Sequence, residues 1–339
     1  MQFIEFVSLA PYTTFGIGGP ARWFAEATSE EDVTAAFAFA GKRGVAVFVL
    51  GGGSNLLVSD HGFAGLVLRV GVRGIRQQGD VFHVAAGESW DEFVSHAVSR
   101  GYGGVECLAG IPGTVGATPV QNVGAYGQEV AETIASVRAY DTVLEQFVTL
   151  AVTECGFAYR HSIFNTEQRG RYVVTEVAYA LRPQAAPHLA YADLQRRFPA
   201  GSQPTLAEVS EAVREIRHGK GMLIVPGEPD CRSAGSFFKN PVIDRALYER
   251  IAAKSETPVP SYPAGEGQVK LPAAWLVEQA GFPKGFGDGP AGISSKHTLA
   301  LVNRGEAKAS DVLVLATQIL QGVYKKFGVT LEMEPVVVA

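Results

Sequence analysis

The sequence is poor in several features that would place it in a special class of protein. Only three of its 339 residues are cysteines, Cys107, Cys155 and Cys231, and they form no Cys-x-x-Cys pair. Such sparse and distant cysteines predict neither a disulfide framework nor a metal site. The chain carries 29 basic and 34 acidic residues, a formal net charge of −5, and no basic stripe. We therefore expect no nucleic-acid partner.

Long apolar runs are also missing. No stretch approaches the roughly 20 apolar residues that a membrane-spanning helix needs, and the first residues lack the basic region and apolar stretch of an export signal. We therefore expect a cytoplasmic protein without a membrane partner. Because 47% of the residues are hydrophobic and 19% are charged, the chain can build a sizeable core, and its length suits two or three packed domains.

Glycine, in contrast, is abundant and clustered: 39 residues, well above the average usage of about 7%. In segment 49–57 an apolar strand runs into Gly51, Gly52 and Gly53, followed by Ser54 and Asn55. This pattern fits a tight turn after a strand as well as a loop that exposes backbone N–H groups to a phosphate. Segment 108–127 holds five glycines and two prolines, an arrangement that is costly in chain entropy unless the backbone lies against a ligand.

Neither segment matches the common nucleotide-binding fingerprints. The chain has no G-x-x-x-x-G-K-[ST] motif, and no G-x-G-x-x-G opens a helix with an acidic residue about twenty positions later. A P-loop enzyme and a Rossmann dehydrogenase are thereby disfavoured. The remaining interpretation is a glycine-lined cleft for an extended cofactor that contains a diphosphate, such as a flavin dinucleotide.

Sequence signals for helices and strands alternate along the first part of the chain and occur in mixed order after it. Capping-box patterns begin helices at 28–31, 89–92 and 205–208, and a terminal amphipathic helix ends at Gly328. β-Branched runs predict strands at 45–50, 81–86, 171–180 and near the C-terminus. The proline-punctuated stretch 183–204 indicates the main domain boundary.

Four stretches outside the glycine segments carry groups suited to chemistry: 159–162, 232–241, 270–276 and 331–335. Taken singly, each has a structural explanation. Ser236 fits a turn hydroxyl, Arg160 a surface charge and Glu334 the exposed side of a strand.

Together with Thr14-Phe15-Gly16-Ile17-Gly18-Gly19 and the two glycine segments, these stretches closely resemble the UDP-N-acetylenolpyruvoylglucosamine reductase family. The resemblance runs from about Thr14 to Glu334 and is most specific in 110–116, 121–127, 234–241 and 270–276. It implies an α+β fold in which a two-part FAD-binding domain of the p-cresol methylhydroxylase/vanillyl-alcohol oxidase type precedes an α+β substrate-binding domain. The implied boundaries are 1–185 for the FAD domain, split near 70, 186–203 for a substrate loop and linker, and 204–339 for the substrate domain, whose last strand returns to the FAD domain.

The resemblance also implies the chemistry and the residues that perform it. NADPH reduces noncovalent FAD, which reduces the enolpyruvyl ether of the sugar nucleotide to the lactyl ether of UDP-N-acetylmuramate. Matching by motif makes Arg160 the enolate-stabilising cation, Ser236 the proton donor and Glu334 an assisting acid. The implied FAD contacts are Gly52, Gly53, Ser54, Asn55, Gly110, Ile111, Pro112, Gly113, Thr114, Gly116, Ala117, Gln121, Asn122, Gly124, Ala125 and Tyr126. The implied substrate contacts are Tyr159, Tyr191, Lys220, Asn240, Tyr262 and Lys284, and Tyr191 in its loop with 236–241 suggests the type I form, which we expect to be a monomer.

The chain departs from the family pattern at three places. His161 replaces a frequent aspartate, Pro335 and Val336 stand where Val-Arg is common, and the stretch between Lys220 and Ser236 is longer. These differences concern contacts with substrate phosphate and local loop geometry.

Two other functions compete with this interpretation. An FAD-dependent sugar oxidase of the same fold family would share the cofactor domain, although neither glycine segment holds a histidine for covalent attachment and Cys107 precedes the second one. A non-catalytic nucleotide-binding module would have no need for Arg160, Ser236 and Glu334 in their motifs.

Overall fold

A computed structural model describes all 339 residues. The helices are α1 (Glu30–Arg43), α2 (Trp90–Ser99), α3 (Ala192–Arg197), α4 (Leu206–Gly219), α5 (Arg245–Lys254), α6 (Ala273–Gln279) and α7 (Ala309–Phe327). The strands are β1 (Ile4–Ser8), β2 (Pro20–Ala27), β3 (Val47–Leu50), β4 (Leu56–Val58), β5 (Phe63–Val70), β6 (Ile75–Gln78), β7 (Val81–Ala85), β8 (Tyr102–Gly103), β9 (Gly124–Ala125), β10 (Gln128–Glu129), β11 (Ile134–Asp141), β12 (Gln146–Ala151), β13 (Tyr172–Ala180), β14 (Arg182–Pro183), β15 (Ser233–Ser236), β16 (Val242–Asp244), β17 (Tyr262–Pro263), β18 (Gln268–Lys270), β19 (Ala291–Ile293), β20 (Ala300–Asn303) and β21 (Val336–Val338). None of the helices is both long enough and apolar enough to cross a membrane.

The predicted helix ends are formed by the expected capping chemistry. Thr205 accepts a hydrogen bond from the N–H of Glu208, whose carboxylate accepts one from the N–H of Thr205, the reciprocal pair of a capping box. Helix α1 begins one residue later than its box predicts, because Ser29 rather than Thr28 is the N-cap and accepts from the N–H of Asp32. Helix α7 ends at Phe327 and is followed by the predicted Gly328, the C-cap, whose φ of 68° is left-handed.

Two sheets form most of the first compact unit. Strands β2, β5 and β3 run parallel in a four-stranded sheet of order β1-β2-β5-β3. The second sheet is antiparallel, with order β12-β11-β13-β7-β6. The predicted subdomain split near 70 falls between these sheets, where β5 ends. A buried aromatic group of Phe82, Trp90, Phe93 and Tyr179 packs on the second sheet.

The second unit has its own core, around helices α6 and α7 and the three-stranded sheet β15-β20-β19. A further antiparallel sheet has the order β16-β18-β17, and the last strand, β21, pairs in parallel with β4. Asp60 caps α7 by accepting hydrogen bonds from the backbone N–H groups of Ala309 and Ser310. The mixture of helices with parallel and antiparallel strands in two units confirms the α+β class.

The division of the chain differs from the predicted boundaries. The first unit comprises Met1–Val7, Pro20–Gly53 and Phe63–Gly219, and the second comprises Ser8–Gly19, Ser54–Gly62 and Lys220–Ala339. Helix α4 lies in the first unit because its apolar face, with Val209 and Val213, belongs to the same core as Trp90. The last strand does meet an N-terminal segment, β4, but that segment is itself part of the second unit because it pairs with β21.

Candidate functional site

The two glycine segments touch each other inside the first unit. A Cβ atom placed on Gly52 would lie 2.5 Å from the Cα atom of Gly113 and 3.0 Å from the backbone nitrogen of Thr114. Gly53 and Gly113 have φ values of 64° and 124°, conformations that favour glycine. Glycine is therefore required at this contact by both space and backbone conformation.

The same contact leaves backbone donors available. The N–H groups of Gly51, Gly52 and Gly53 donate no hydrogen bond within the chain, although Gly53 is buried. Buried backbone N–H groups are almost always paired, and successive unpaired N–H groups in a left-handed turn form a concavity that binds anions. The residues thus fit the diphosphate of a dinucleotide cofactor, and contact of Gly52, Gly53, Gly113 and Gly116 with that diphosphate stays a prediction.

Several other predicted cofactor residues have internal roles that account for their identity. Gly116 packs against Ala86, the residue directly after β7, since a Cβ atom on Gly116 would lie 2.5 Å from the Cβ atom of Ala86. The side chain of Asn122 is fully engaged: it donates to Glu129 at 2.8 Å and to the carbonyl of Ala158 at 3.0 Å, and it accepts from the N–H of Ala131 at 3.1 Å. Asn122 thereby fastens the second glycine segment to the turn that carries Arg160.

Ser54 and Asn55 belong to the second unit rather than to the glycine turn of the first. The side-chain amide of Asn55 donates to the carbonyl of Glu334 at 3.2 Å, and the carbonyl of Ser54 accepts from the Thr14 hydroxyl at 3.4 Å. The remaining predicted cofactor residues of the second segment are buried or half-buried: Gly110, Ile111, Pro112, Thr114, Ala117, Gln121, Gly124, Ala125 and Tyr126.

Arg160 occupies a tight, strained turn. Ala158 and His161 exchange two backbone hydrogen bonds of 3.0 Å, so Tyr159 and Arg160 are the central residues. Arg160 has a φ of 55°, a left-handed conformation that non-glycine residues rarely adopt. Its Nη2 donates to the carbonyl of Gly124 at 2.8 Å, and its own carbonyl accepts from the Asn165 amide at 3.2 Å. The guanidinium is therefore anchored at one nitrogen to the second glycine segment.

Ser236 is presented by a β-bulge. Ser233 pairs with Val302 and Ser236 with Ala300, so β15 has one extra residue, and Gly235 at that point has a φ of 69°. Such a bulge redirects the side chain that follows it. The half-buried Ser236 hydroxyl makes no hydrogen bond within the chain, whereas the Ser233 hydroxyl is buried and accepts from the N–H of Gly235 at 3.3 Å.

Glu334 lies opposite Phe237, the residue that follows Ser236, in the second unit. Its backbone N–H donates to the carbonyl of Phe237 at 2.9 Å, and the N–H of Lys239 donates to Glu332 at 2.9 Å. The segment before β21 thus continues the ladder that begins directly after Ser236. Of the three predicted catalytic residues, Ser236 and Glu334 belong to the second unit, where Glu334 pairs with the residue after Ser236, and Arg160 belongs to the first unit.

The predicted substrate residues lie in different surroundings. Tyr159 is 43% exposed and 5.4 Å from the Arg160 guanidinium, and the ring of Tyr191 stands edge-on to that of Tyr126 at 5.3 Å. Asn240 caps α6 by accepting from the N–H of Ala273 at 2.9 Å. Tyr262 and Lys284 are exposed on the second unit, and Lys220 is half-buried at its start.

Two ionic side chains, one buried and one half-buried, hydrogen-bond the backbone of the second glycine segment and were not identified from the sequence. Asp91 accepts from the N–H of Gly110 at 2.5 Å, and Nε of Arg217 donates to the carbonyl of Gly110 at 3.0 Å. Burial lowers the pKa of the Arg217 guanidinium, an effect opposed by Tyr126 and Asp91. Asp91 was visible only as an acidic residue in the first turn of a helix, and Arg217 only as a cation in the last turn, positions that are common for reasons of helix polarity.

The departures from the family pattern have local explanations. Val336 is the first residue of β21 and pairs with Leu56, so this position faces a strand partner. The longer stretch after Lys220 is tied to the turn before β20, because Glu228 pairs with Lys296 at 3.0 Å and Asp230 accepts from Ser295 at 2.7 Å. His161 contacts the carbonyl of Gly156 at 3.1 Å through Nδ1.

Neither a metal centre nor a reactive thiol is found near the glycine segments. The structure contains no group of three or more histidine, cysteine or acidic side chains that could hold a metal ion. Burial and the neighbouring Glu106 raise the pKa of the Cys107 thiol far above its usual value, so the thiolate needed for covalent attachment is disfavoured.

Comparisons with known proteins cover nearly the whole chain. A family model described as FAD binding domain matches residues 21–146, and one described as UDP-N-acetylenolpyruvoylglucosamine reductase, C-terminal domain, matches residues 228–338. The reductase of that name from Thermobifida fusca is 46% identical over 99% of this chain and 98% of its own length. The one from Streptomyces coelicolor is 48% identical over 100% of this chain and 91% of its length.

A crystal structure of UDP-N-acetylenolpyruvylglucosamine reductase from Thermus caldophilus superposes with a TM-score of 0.70 and 27% sequence identity, covering 100% of both chains. The resemblance seen in the sequence motifs is thereby confirmed in sequence and in fold. This chain belongs to the UDP-N-acetylenolpyruvoylglucosamine reductase family of oxidoreductases.

Proposed function

We propose that this protein uses NADPH and noncovalently bound FAD to reduce the enolpyruvyl ether of UDP-N-acetylglucosamine to UDP-N-acetylmuramate, a step of peptidoglycan precursor synthesis. The full-length relatives named as this reductase support the reaction, and the matched FAD binding domain supports the cofactor. FAD, when bound, supplies hydride transfer from NADPH to the methylene carbon of the substrate.

The glycine contact of the first unit is suited to hold the cofactor diphosphate. Backbone donors at Gly51, Gly52 and Gly53 stand next to Gly113 without side chains to exclude an anion. The raised pKa of Cys107 supports noncovalent rather than tethered binding.

Arg160 is suited to neutralise the charge that develops on the substrate. Hydride addition to the methylene carbon pushes electrons onto the carboxylate and forms a dianionic enolate, which needs fixed cations or hydrogen-bond donors beside it. A guanidinium can bind a carboxylate through two parallel hydrogen bonds, which an ammonium cannot do. The bond from Nη2 to Gly124 and the restrained backbone hold this side chain in place before substrate arrives.

Ser236 is suited to donate the proton that the neighbouring carbon must gain. A serine hydroxyl is a weak acid, but a carbon-centred enolate is basic enough to take its proton at short range. The bulge at Gly235 separates the roles of the two nearby serines, because the Ser233 hydroxyl is buried in the bulge and the Ser236 hydroxyl has no partner in the chain. Glu334, which pairs with the residue after Ser236, would assist in its protonated form.

The substrate residues named above, Tyr159, Tyr191, Lys220, Asn240, Tyr262 and Lys284, complete the proposal as contacts to the sugar nucleotide. Three of them are tyrosines with exposed rings, which offer an apolar face together with a hydroxyl. Asn240 keeps its NH₂ group for a ligand, since its oxygen caps α6.

The observation that carries the proposal is a serine hydroxyl that has no partner in the chain and is presented by a bulge, one residue before the Phe237 that pairs with Glu334. It stands in a chain whose relatives from Thermobifida fusca and Streptomyces coelicolor are named as this reductase. An anaerobic experiment tests it. We expect NADPH to bleach the flavin absorbance of the pure protein and the enolpyruvyl sugar nucleotide to restore it, with UDP-N-acetylmuramate as product. Equally fast recovery with oxygen alone would instead indicate a sugar oxidase, and protein that binds no flavin would contradict the proposal outright.

A further inference from the structure

The backbone of Gly110 is held from both sides by ionic side chains. Its N–H donates to Oδ1 of Asp91 at 2.5 Å, and its carbonyl accepts from Nε of Arg217 at 3.0 Å. Asp91 comes from α2 and Arg217 from α4, two helices that are far apart in the sequence. Hydrogen bonds that involve a charged partner are roughly twice as strong as neutral ones, so this one residue is unusually well fixed.

Gly110 needs such restraint because of its conformation and its place. Its φ is 71°, and glycine populates left-handed and right-handed conformations about equally when nothing selects between them. It precedes Gly113, which contacts Gly52. A change of conformation at Gly110 would therefore move the backbone at the contact of the two glycine segments.

The contacts of Asp91 and Arg217 also extend to the other end of the second glycine segment. Arg217 is 8% exposed and hydrogen-bonds the side chain of Tyr126 as well as Gly110. Asp91 is in turn paired with Nη1 of Arg214, whose Nη2 donates to Ser95 at 2.8 Å. The buried Arg217 thus connects Gly110, near the start of the segment, to Tyr126 near its end. Arg214 in turn orients Asp91.

We propose that Asp91 and Arg217 are positioning residues for the cofactor: they select the path of segment 110–126 that can bind the FAD diphosphate, without contacting the reacting atoms. This inference rests on the proposed function, because it concerns the FAD site. Helix α4 supplies both arginines of this network, Arg214 and Arg217.

Titration of FAD into apoprotein, followed by quenching of flavin fluorescence, tests the inference. We expect Asp91→Ala and Arg217→Lys to raise the dissociation constant of FAD about tenfold or more, the effect of losing one hydrogen bond to a charged group. Asp91→Asn keeps an oxygen that can accept from Gly110 and should fall between wild type and Asp91→Ala. A dissociation constant that rises from wild type to Asp91→Asn to Asp91→Ala is the result expected if Asp91 acts through its hydrogen bond with Gly110.

Urea unfolding of the same apoproteins separates positioning from general stability. Arg171→Lys is the matched control, because Arg171 pairs with the buried Asp141 in the same unit but contacts no part of the glycine segments. It should destabilise the apoprotein and leave FAD affinity within about twofold of wild type. FAD affinity within twofold of wild type in Asp91→Ala and Arg217→Lys, or an equal loss in Arg171→Lys, would overturn the inference.

If Asp91→Ala does not fold, the comparison of Asp91→Asn and Arg217→Lys with wild type decides the same question. If wild-type apoprotein does not bind FAD at all, the result contradicts the proposed function itself. It would not be specific to the positioning role of Asp91 and Arg217.

Discussion

The hydroxyl of Thr14 donates a 2.6 Å hydrogen bond to the carbonyl of Ser233, which lies 219 positions later in the chain. This bond explains a motif to which sequence analysis could assign no role. The Thr14–Gly19 segment belongs to the second unit, where Phe15 is fully buried and 6.3 Å from Phe237. It supports the strand whose bulge presents Ser236.

Gly52→Ala should yield folded protein depleted of FAD. The new Cβ atom would lie 2.5 Å from the Cα atom of Gly113, and because that neighbour is backbone, one glycine segment must move. The ratio of flavin to protein absorbance after purification measures the loss. Gly41→Ala is the control: outside the backbone of α1 itself, no atom lies within 4 Å of a Cβ there, so α1 should gain up to about 1 kcal/mol with FAD content unchanged. Full flavin occupancy in Gly52→Ala would contradict the placement of the cofactor.

Arg160→Lys should slow reduction of the sugar nucleotide about 10²–10³-fold, the usual cost of losing one preorganised hydrogen-bond donor, because the lysine keeps the charge but cannot form two parallel hydrogen bonds. Bleaching of the flavin by NADPH should stay near the wild-type rate, because the enolate does not yet exist in that step. Stopped-flow measurement of the two half-reactions separates them. Arg169→Lys, at an exposed arginine of the following turn, should leave both rates unchanged. Equal losses in both half-reactions of Arg160→Lys would assign Arg160 to the fold.

Asp141→Asn should remove one component of the acid sensitivity of the first unit. Asp141 is buried, and Arg171 together with the backbone N–H groups of Val143 and Leu144 lowers its pKa from 3.8 to about 2. A depressed folded-state pKa adds stability that is complete above the unfolded pKa of about 4 and is lost as the pH falls toward 2. In urea unfolding from pH 7 to pH 3, the stability gap between wild type and variant should be constant above about pH 5 and shrink below about pH 4. A gap that stays constant down to pH 3 would exclude this role.

Local chemistry made much of the fold predictable. The caps at Ser89, Thr205 and Gly328 and the β-branched strand at 172–180 depend on neighbours within a few residues. The domain boundary was not predictable in this way. The prolines of 183–204 do mark a loop, but the side on which α4 packs is decided by long-range contacts with the core around Trp90.

In the candidate site, too, local sequence does not predict the features that depend on long-range contacts. Motifs identify Gly52, Gly113, Arg160 and Ser236, but not the conformations that give them their roles: the bulge at Gly235 and the left-handed backbone of Arg160 depend on partner strands and on Asn165. At Asn122 the motif alone does not reveal a structural role of the side chain. Its motif suggests a ligand contact, whereas its amide is satisfied within the chain.

The reoxidation of NADPH-reduced protein by the enolpyruvyl sugar nucleotide, compared in wild type, Ser236→Ala and Ser233→Ala, tests the central claim most directly. Loss of a general acid costs about 10²–10⁴ in rate, so Ser236→Ala should bind FAD, bleach normally with NADPH and reoxidise slower by that factor. Ser233→Ala should reoxidise at nearly the wild-type rate, and Ser236→Cys should recover part of the rate because a thiol is the stronger acid. Reoxidation of Ser236→Ala within a few-fold of wild type would show that the proton comes from another group and would leave Ser236 as a residue of the bulge alone.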